Sequence, residues 1–160
     1  MEHIRAYDIF ESVERVPTVY HGSDKKFDRF EFMKGYNHTS LYVEEVERGA
    51  FFFAESKEHA RLYGKYVYSA KLKIGRLDNW REPGMMNQKV FDLLMSKYRR
   101  RVPWQMSEYW QMIDDEEIRD DIRRLGIDGI KSFEYYEDVD EPVLTWIVFE
   151  PSQIEIISVE

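Results

Sequence analysis

The sequence contains no cysteine, which rules out disulfide bonds and any chemistry that depends on a thiolate. Long apolar runs are also missing: nothing approaches the roughly 20 residues of a membrane-spanning helix, and residues 1–5 do not begin a signal peptide. Basic residues are outnumbered, since 23 Lys and Arg face 31 Asp and Glu, for a net charge of −8. Because binding to a nucleic acid backbone relies on clustered positive charge, nucleic acid is not an expected partner. These absences predict a cytoplasmic protein with no membrane segment.

Aromatic residues, in contrast, are abundant. The 160 residues include 10 Phe, 11 Tyr and 4 Trp, and 43% of the chain is hydrophobic. This content is sufficient for a core that also carries flat aromatic surfaces for binding. The length suits one domain, and no repeat, low-complexity tract or linker divides the chain. We therefore expect a single domain over residues 1–160.

The hydrophobic pattern predicts an α+β fold rather than an alternating series of strands and helices. Residues 2–15 carry apolar side chains three positions apart, which predicts an N-terminal helix. Residues 34–48 and 75–86 are interpreted as loops because of their polar and turn-forming residues. Phe27, Phe30 and Phe32 are expected to fold back onto the core. The predicted strands are 18–20, 49–54, 66–74, 127–133, 143–149 and 153–159.

Helix signals are concentrated in the middle of the chain. Ser56 is a suitable N-cap for a short helix that ends at Gly64. Asn87 can cap a second helix, residues 107–112 form a short one, and residues 115–117 begin another that Gly126 ends. We interpret residues 87–125 as a helical insertion. Its aromatic side chains either recognise a partner or pack over the sheet: Trp104, Tyr109 and Trp110.

The tetrapeptide Tyr20-His21-Gly22-Ser23 has the composition of a small polar ligand site. Glycine lets a ligand approach the backbone closely, because it has no Cβ. The imidazole and the hydroxyl can each donate or accept a hydrogen bond near neutral pH. A hairpin turn with a surface histidine would give the same four residues, so the tetrapeptide alone does not identify a site.

Three segments taken together resemble the ADP-ribosyltransferases, on the branch that includes diphtheria toxin and the poly(ADP-ribose) polymerases. Residues 20–23 are similar to its first motif, a strand that ends in aromatic-His-Gly-Ser/Thr. Residues 51–63 are similar to the second, an aromatic strand leading into a helix that carries a tyrosine. Residues 146–154 are similar to the third, an apolar strand followed by a Pro-x-Gln-Ile turn. Residues 125–130 are similar to a helix-to-strand junction of small bacterial and phage members, so the likeness spans roughly residues 18–156.

The resemblance implies a split, strongly bent β-sheet of the ADP-ribosyltransferase type that binds NAD⁺ as a substrate, without a metal. NAD⁺ loses nicotinamide in this family through an oxocarbenium-like state, as glycosides do in glycosidases. By resemblance, His21 bonds the adenosine-side ribose and the Gly22 backbone binds the nicotinamide amide. Phe52 and Tyr63 would stack on the nicotinamide ring. The full implied NAD⁺-binding set is Tyr20, His21, Gly22, Ser23, Phe52, Phe53, Ser56 and Tyr63.

The third motif departs from the family pattern. Fully active relatives carry a glutamate at the position of Thr145, where its charge stabilises the developing cation. A threonine hydroxyl can bond the ribose but cannot offset a positive charge. The expected catalytic residues are therefore His21, Thr145 and Glu141, with Glu134 and Glu150 as the other carboxylates close enough in sequence to substitute.

The resemblance implies a toxin-like mono-ADP-ribosyltransferase of bacterial or phage type that transfers ADP-ribose from NAD⁺ to a macromolecular acceptor, such as a protein. Two other functions remain open. The missing glutamate favours a catalytically silent member that binds or inhibits a partner. A related phosphotransferase acting on RNA ends is disfavoured by the net charge of −8. A purely architectural interpretation also stands, with His21 in a turn, Tyr63 in the core and Thr145 as a strand former.

Overall fold

Nine strands and several short helices follow one another in a computed structural model that describes residues 16–33, 35–39, 42–46, 48–135 and 139–160. The predicted N-terminal helix, residues 2–15, lies outside these described residues. The α-helices are α1 Lys57–Ala60, α2 Gln88–Lys97 and α3 Glu116–Arg124, and the 3-10 helices are Arg61–Tyr63, Pro83–Met85, Arg99–Arg101, Met106–Asp114 and Pro151–Gln153. The strands are β1 Val19–Ser23, β2 Gly35–Thr39, β3 Tyr42–Val46, β4 Phe51–Ala54, β5 Tyr66–Leu72, β6 Leu77–Asn79, β7 Gly129–Glu134, β8 Val143–Val148 and β9 Ile154–Val159.

Seven of these strands form one mixed sheet, in the order β6-β7-β8-β4-β1-β5-β9. The β6 and β7 pair is parallel, and the other neighbours are antiparallel. The remaining strands, β2 and β3, form a separate antiparallel pair. The predicted α+β class is confirmed. β6 and β7 are parallel neighbours although residues 80–128, which contain the helical insertion, separate them, as a crossover connection requires.

The predicted helix caps are confirmed. The Ser56 side chain accepts a hydrogen bond from the backbone N–H of His59 at the start of α1. Asn87 accepts from two backbone N–H groups of α2, and Asp115 accepts from one of α3. These side chains satisfy N–H groups that have no partner within the helix. Gly126 follows α3 with φ 88°, a left-handed conformation that glycine adopts without strain.

Two sequence predictions are wrong. Residues 34–48 are not a loop, since they contain β2 and β3, whose polar residues show no simple alternation. Residues 75–86 contain β6, which is only three residues long and so leaves a weak pattern. Residues 20–23, which the first motif places at the end of a strand, are the last four residues of β1. The first motif is therefore held by strand pairing along its whole length.

The two faces of the sheet are covered by different segments of the chain. The helical face, defined by the side chains of Ile130 and Ile147, packs against α2, α3 and the Met106–Asp114 helix. The aromatic face, defined by Trp146 and Val148, packs against the segment after β1. Phe27 stacks on Tyr68 with 4.1 Å between ring centroids, in agreement with the predicted return of this segment to the core. Burial on both faces explains the nearly continuous apolar sequence of β8.

Three aromatic residues of the helical insertion differ in their exposure to solvent. Tyr109 is buried in the core, and Trp110 is half-buried against Phe52 with 5.9 Å between ring centroids. Trp104 is 98% exposed. No helix in the described part of the chain combines the length and the apolar character needed to cross a membrane.

Candidate functional site

The site begins where β1 and β4 separate. Within the described residues these strands pair at one register position, Tyr20 with Ala54, although β1 stays paired with β5 as far as Ser23. Beyond Tyr20, β4 no longer pairs with β1. The backbone groups on this edge of β4 can therefore form hydrogen bonds with side chains. The imidazole of His21 occupies this gap and its Nδ1 lies 2.9 Å from the carbonyl oxygen of Phe52.

The gap opens into a cavity of about 740 Å³. This volume lies within the usual range for small-molecule sites, about 300–1,000 Å³. Its lining includes residues whose side chains alternate between the two faces of β4, so the cavity reaches both faces of the sheet at this point. Aromatic and polar side chains from six separate segments line it, among them Tyr20, His21, Phe27, Phe52, Tyr63, Trp110, Asp114, Glu134 and Thr145.

The tautomer of His21 follows from its partner. A carbonyl oxygen only accepts, so Nδ1 carries the proton and Nε2 of the neutral ring remains an acceptor. Burial lowers the pKa of His21, while the hydrogen bond to Phe52 opposes that shift. The ring is held edge-on by Phe30, at 5.1 Å between centroids. His21 is therefore a neutral, fixed imidazole with one acceptor nitrogen.

Gly22 allows the short helices to pack directly on β1. A Cβ at this position would lie 1.8 Å from the carbonyl oxygen of Ala60 and 3.2 Å from the Cβ of Tyr63. No other residue type fits here without moving the backbone of α1. The close approach brings the Arg61–Tyr63 helix to the edge of the cavity and places Tyr63 in its wall.

A buried carboxyl group lies on the wall opposite β1. The Tyr63 hydroxyl donates a hydrogen bond of 2.8 Å to Oε2 of Glu134, the last residue of β7. Glu134 is only 6% exposed, whereas Tyr63 is 51% exposed. The phenol thus links the rim of the cavity to a carboxyl group at its base.

The surroundings of Glu134 favour its neutral form. Burial, and secondarily the negative charge of Asp114, raise the pKa of Glu134 to about 7. Asp114 ends the Met106–Asp114 helix and its Oδ1 accepts from the backbone N–H of Ala50, 3.1 Å away. Because a carboxyl group with this pKa changes charge near neutral pH, Glu134 can both stabilise a cation and take up a proton.

Three basic side chains also line the cavity. Lys25, Lys26 and Arg29 follow β1 and line the cavity. Arg29 is already paired with Glu31 at 2.7 Å, and both of these side chains are exposed. Two strands, β8 and β4, lie between β7 and β1, so these two strands are about 14 Å apart at three strand spacings.

Most of the predicted site residues come together in this cavity. Those that line it are Tyr20, His21, Gly22, Ser23, Phe52, Phe53, Tyr63 and Thr145. Ser56 is not part of the lining and caps α1 instead. Glu141 is exposed in the segment before β8, also outside the lining. Glu150 forms an ion pair with Arg123. Of the three carboxylates considered from the sequence, Glu134 is the one that reaches the cavity.

The lining residues that were not anticipated as part of the NAD⁺ site include two from the helical insertion, Trp110 and Asp114. Both lie in the helical insertion, at the end nearest β4. Asp114 lies beyond the short helix predicted at 107–112, and no sequence signal related either residue to β4. Only the tertiary packing of the insertion brings them there.

Two further motif residues have architectural roles. The Gln153 side chain accepts from the N–H groups of Phe149 and Glu150 and donates to the carbonyls of Lys73 and Asp128. The Asp128 carboxylate accepts from the N–H groups of Gly75 and Arg76. These bonds tie the ends of β5, β7 and β8 together behind the cavity. The Pro-x-Gln-Ile and Gly-x-Asp-Gly patterns therefore fix strand ends.

The arrangement offers no evident metal site, since no three His, Asp or Glu side chains of the described residues cluster closely enough to hold an ion. The cavity instead suits an organic ligand that carries both a positive and a negative charge. It offers an acceptor nitrogen, aromatic rings, a buried carboxyl group and basic side chains. A scan against family models, a search of curated proteins and a search of solved structures each found no match to this chain.

Proposed function

We propose that this chain is an NAD⁺-binding protein of the ADP-ribosyltransferase type, with the bent, split sheet of that family, and that it transfers ADP-ribose to a macromolecular acceptor. One observation carries the proposal. Residues of the first two motif segments lie far apart in the sequence, yet they line a single cavity of about 740 Å³ together with Thr145, the residue just before the third segment. The adjacent strands β1, β4 and β8 bring them together.

The charge distribution of the cavity supports this ligand. NAD⁺ combines a cationic nicotinamide ring with an anionic pyrophosphate. Two acidic residues, Glu134 and Asp114, and two lysines that follow β1, Lys25 and Lys26, line the cavity. A ligand with its cation between the aromatic and acidic groups and its phosphates near the lysines matches this polarity.

The proposed binding mode uses the groups on each wall. Tyr63 and Phe52 provide ring faces for the nicotinamide. The Nε2 atom of His21 accepts a hydrogen bond from a ribose hydroxyl, because its Nδ1 proton is committed to Phe52. Thr145 is buried on the face that also carries Ala54, and its hydroxyl lines the cavity.

A second function is favoured by one observation, the neutral Thr145 at the position of the family glutamate. A protein with this change could bind NAD⁺ without cleaving it and act as a binding or inhibitory module. The two functions share the cavity and differ only in turnover. Calorimetry and a turnover assay on the same preparation separate them.

The test is to add NAD⁺, measure its binding by calorimetry and follow the release of nicotinamide by chromatography. We expect saturable binding together with release. Label from adenylate-labelled NAD⁺ in precipitated protein distinguishes transfer from hydrolysis. Failure to bind at millimolar NAD⁺ would refute the proposal, whereas binding without release would support the silent module.

A matched pair of variants tests the location of the site. Tyr63→Ala removes a ring that lines the cavity, while Leu62→Ala removes the neighbouring exposed side chain, which does not line it. We expect Tyr63→Ala to weaken NAD⁺ binding by about 10- to 100-fold, as loss of one stacked ring does. Leu62→Ala should bind as the wild type does. Equal binding by both variants would place the ligand elsewhere.

A further inference from the structure

We infer that Glu134, from the strand beside the one that carries Thr145, supplies the reacting carboxylate of this site. The inference rests on the proposed function and assigns the catalytic group within it. Sequence position alone gave no preference to Glu134. Its place in the sheet, its burial and its hydrogen bond to the cavity wall distinguish it.

The strand register brings Glu134 to the correct face. Thr145 on β8 pairs directly with Ser132 on β7, and paired residues project to the same side of a sheet. Glu134 is two residues beyond Ser132 and therefore lies on that same side. It pairs in turn with Val143, two residues before Thr145. The longer glutamate side chain starts one strand away from the threonine and lines the same cavity.

The contact with Tyr63 locates the carboxyl group relative to a stacked ring. The Tyr63 hydroxyl, at the far end of its ring, bonds Oε2 of Glu134 at 2.8 Å. A ligand ring that lies on Tyr63 therefore has this carboxyl group at its edge. In NAD⁺ the ribose is attached at the edge of the nicotinamide ring, so the bond to be broken lies beside the carboxyl group.

The chemistry follows from this position. The bond between the ribose C1′ and the nicotinamide nitrogen breaks, and nicotinamide leaves as a neutral molecule with the bonding electron pair. The ionised Glu134 stabilises the oxocarbenium charge left on the ribose. A hydroxyl, amine or carboxylate of the acceptor, or water, forms the new bond to C1′. Where this nucleophile carries a proton, Glu134 accepts it, so charge and atoms balance.

The other carboxylates of the region are arranged differently. Glu141 is exposed and lies outside the cavity lining. Glu150 is paired with Arg123. Asp114 lines the cavity, but its Oδ1 accepts from the backbone of Ala50 and its charge acts on Glu134. Asp114 is therefore a positioning residue for the segment before β4 and an electrostatic neighbour of the reacting group.

The experiment compares Glu134→Gln and Glu134→Asp with Glu155→Gln. Gln keeps the size and the acceptor oxygen of Glu134 but cannot carry a negative charge. Glu155 is exposed on β9 at the opposite edge of the sheet and controls for the loss of any one carboxylate. Nicotinamide release and NAD⁺ binding are measured for each variant, and Glu141→Gln is included as the rival assignment.

We expect Glu134→Gln to lower kcat about 100- to 1,000-fold, the range seen when one transition-state-stabilising group is removed, with NAD⁺ affinity within about fivefold of wild type. Glu134→Asp should recover part of the rate, and Glu155→Gln should match the wild type. Unchanged kcat in Glu134→Gln would overturn the inference and leave the proposed function in place, as would loss confined to Glu141→Gln. Wild-type binding without release would overturn the inference while leaving NAD⁺ binding intact, and absent binding would overturn both.

Discussion

The β1 wall and the β7 wall of the cavity both bury a titratable side chain, but they do so with opposite consequences for pH. On the β1 wall, burial lowers the pKa of His21 and favours the neutral imidazole. On the β7 wall, burial and Asp114 raise the pKa of Glu134 and favour the neutral carboxyl group. Acid therefore destabilises the first arrangement, and alkali destabilises the second.

The two walls also differ in whether their residues serve the fold or the proposed chemistry. On the β1 wall, His21 forms a hydrogen bond with β4, and Gly22 leaves room for α1 to pack closely. Both residues therefore serve the fold. On the β7 wall, Glu134 is buried at a cost in stability, because its ionised form loses hydration there. Under the proposed function, the site uses the charge of this group. The following predictions test this division.

The largest expected effect is on the β1 wall, from Gly22→Ala. The added Cβ would overlap the carbonyl oxygen of Ala60 at 1.8 Å, and a backbone atom cannot move away as a side chain can. We expect a loss of unfolding free energy of about 3 kcal/mol or more, measured by urea denaturation. Gly84→Ala is the matched control, since nothing lies within 4 Å of a Cβ there. Similar midpoints for the two variants would contradict the close packing described.

The next effect is on the β7 wall, from Glu134→Gln. With a pKa of 4.5 in the unfolded chain and about 7 in the fold, the folded state binds more protons between these values, so wild-type stability falls as pH rises through that window. Gln never ionises and avoids this loss. We expect the variant to be more stable than wild type by up to about 3 kcal/mol at pH 8 and similar at pH 4.

Thermal or urea unfolding of both proteins at pH 4, 6 and 8 provides the measurement. The stability difference should grow steadily with pH across this range. A difference that is the same at all three pH values would indicate that Glu134 does not titrate near neutrality. A variant that is less stable at pH 8 would show that the ionised carboxylate stabilises the fold.

A smaller effect of opposite sign is expected at His21. Its lowered pKa means that the unfolded chain binds the extra proton first, so stability is present above about pH 6.5 and falls below it. The measurement is made in the Glu134→Gln variant, because this variant lacks the opposite pH dependence of stability that Glu134 causes. In that background stability should decline from pH 7 to pH 5, and His21→Asn, whose amide N–H can replace Nδ1, should reduce the slope. An unchanged slope would assign the acid sensitivity to other groups.

The smallest effect is expected for Tyr63→Phe. This change removes only the hydroxyl that bonds Glu134 and keeps the ring that lines the cavity. We expect NAD⁺ affinity to stay within about threefold of wild type and kcat to fall by up to about 10-fold, one neutral hydrogen bond being worth about 1 kcal/mol. Loss of affinity as large as that of Tyr63→Ala would mean that the hydroxyl, not the ring, binds the ligand.

Local features of the fold were predictable from the sequence because their causes are local. Ser56 and Asn87 act within three residues as helix caps, and Gly126 ends α3 through its own backbone conformation. The continuous apolar residues of β8 indicated burial on both faces. Where the pattern was weak the prediction failed, as for the short β6 and for the polar β2 and β3.

The site was predictable only in part, for a related reason. The motifs identified the residues of β1 and β4 that line the cavity, since each motif is contiguous. Selecting Glu134 over Glu141 required the register between β7 and β8. Trp110 and Asp114 required the packing of the insertion against β4. These are contacts between distant segments, and no single segment encodes them.

Intrinsic tryptophan fluorescence can report on ligand binding in this cavity. Trp80 and Trp146 are each 1% exposed and are shielded from solvent quenchers, while Trp104, 98% exposed, is open to them. Trp110 alone of the four lines the cavity. Replacing Trp104 with Phe removes the solvent-facing emitter without touching the core, so ligand-dependent changes in emission would then report on Trp110. Occupancy of the site can in this way be followed without label or turnover.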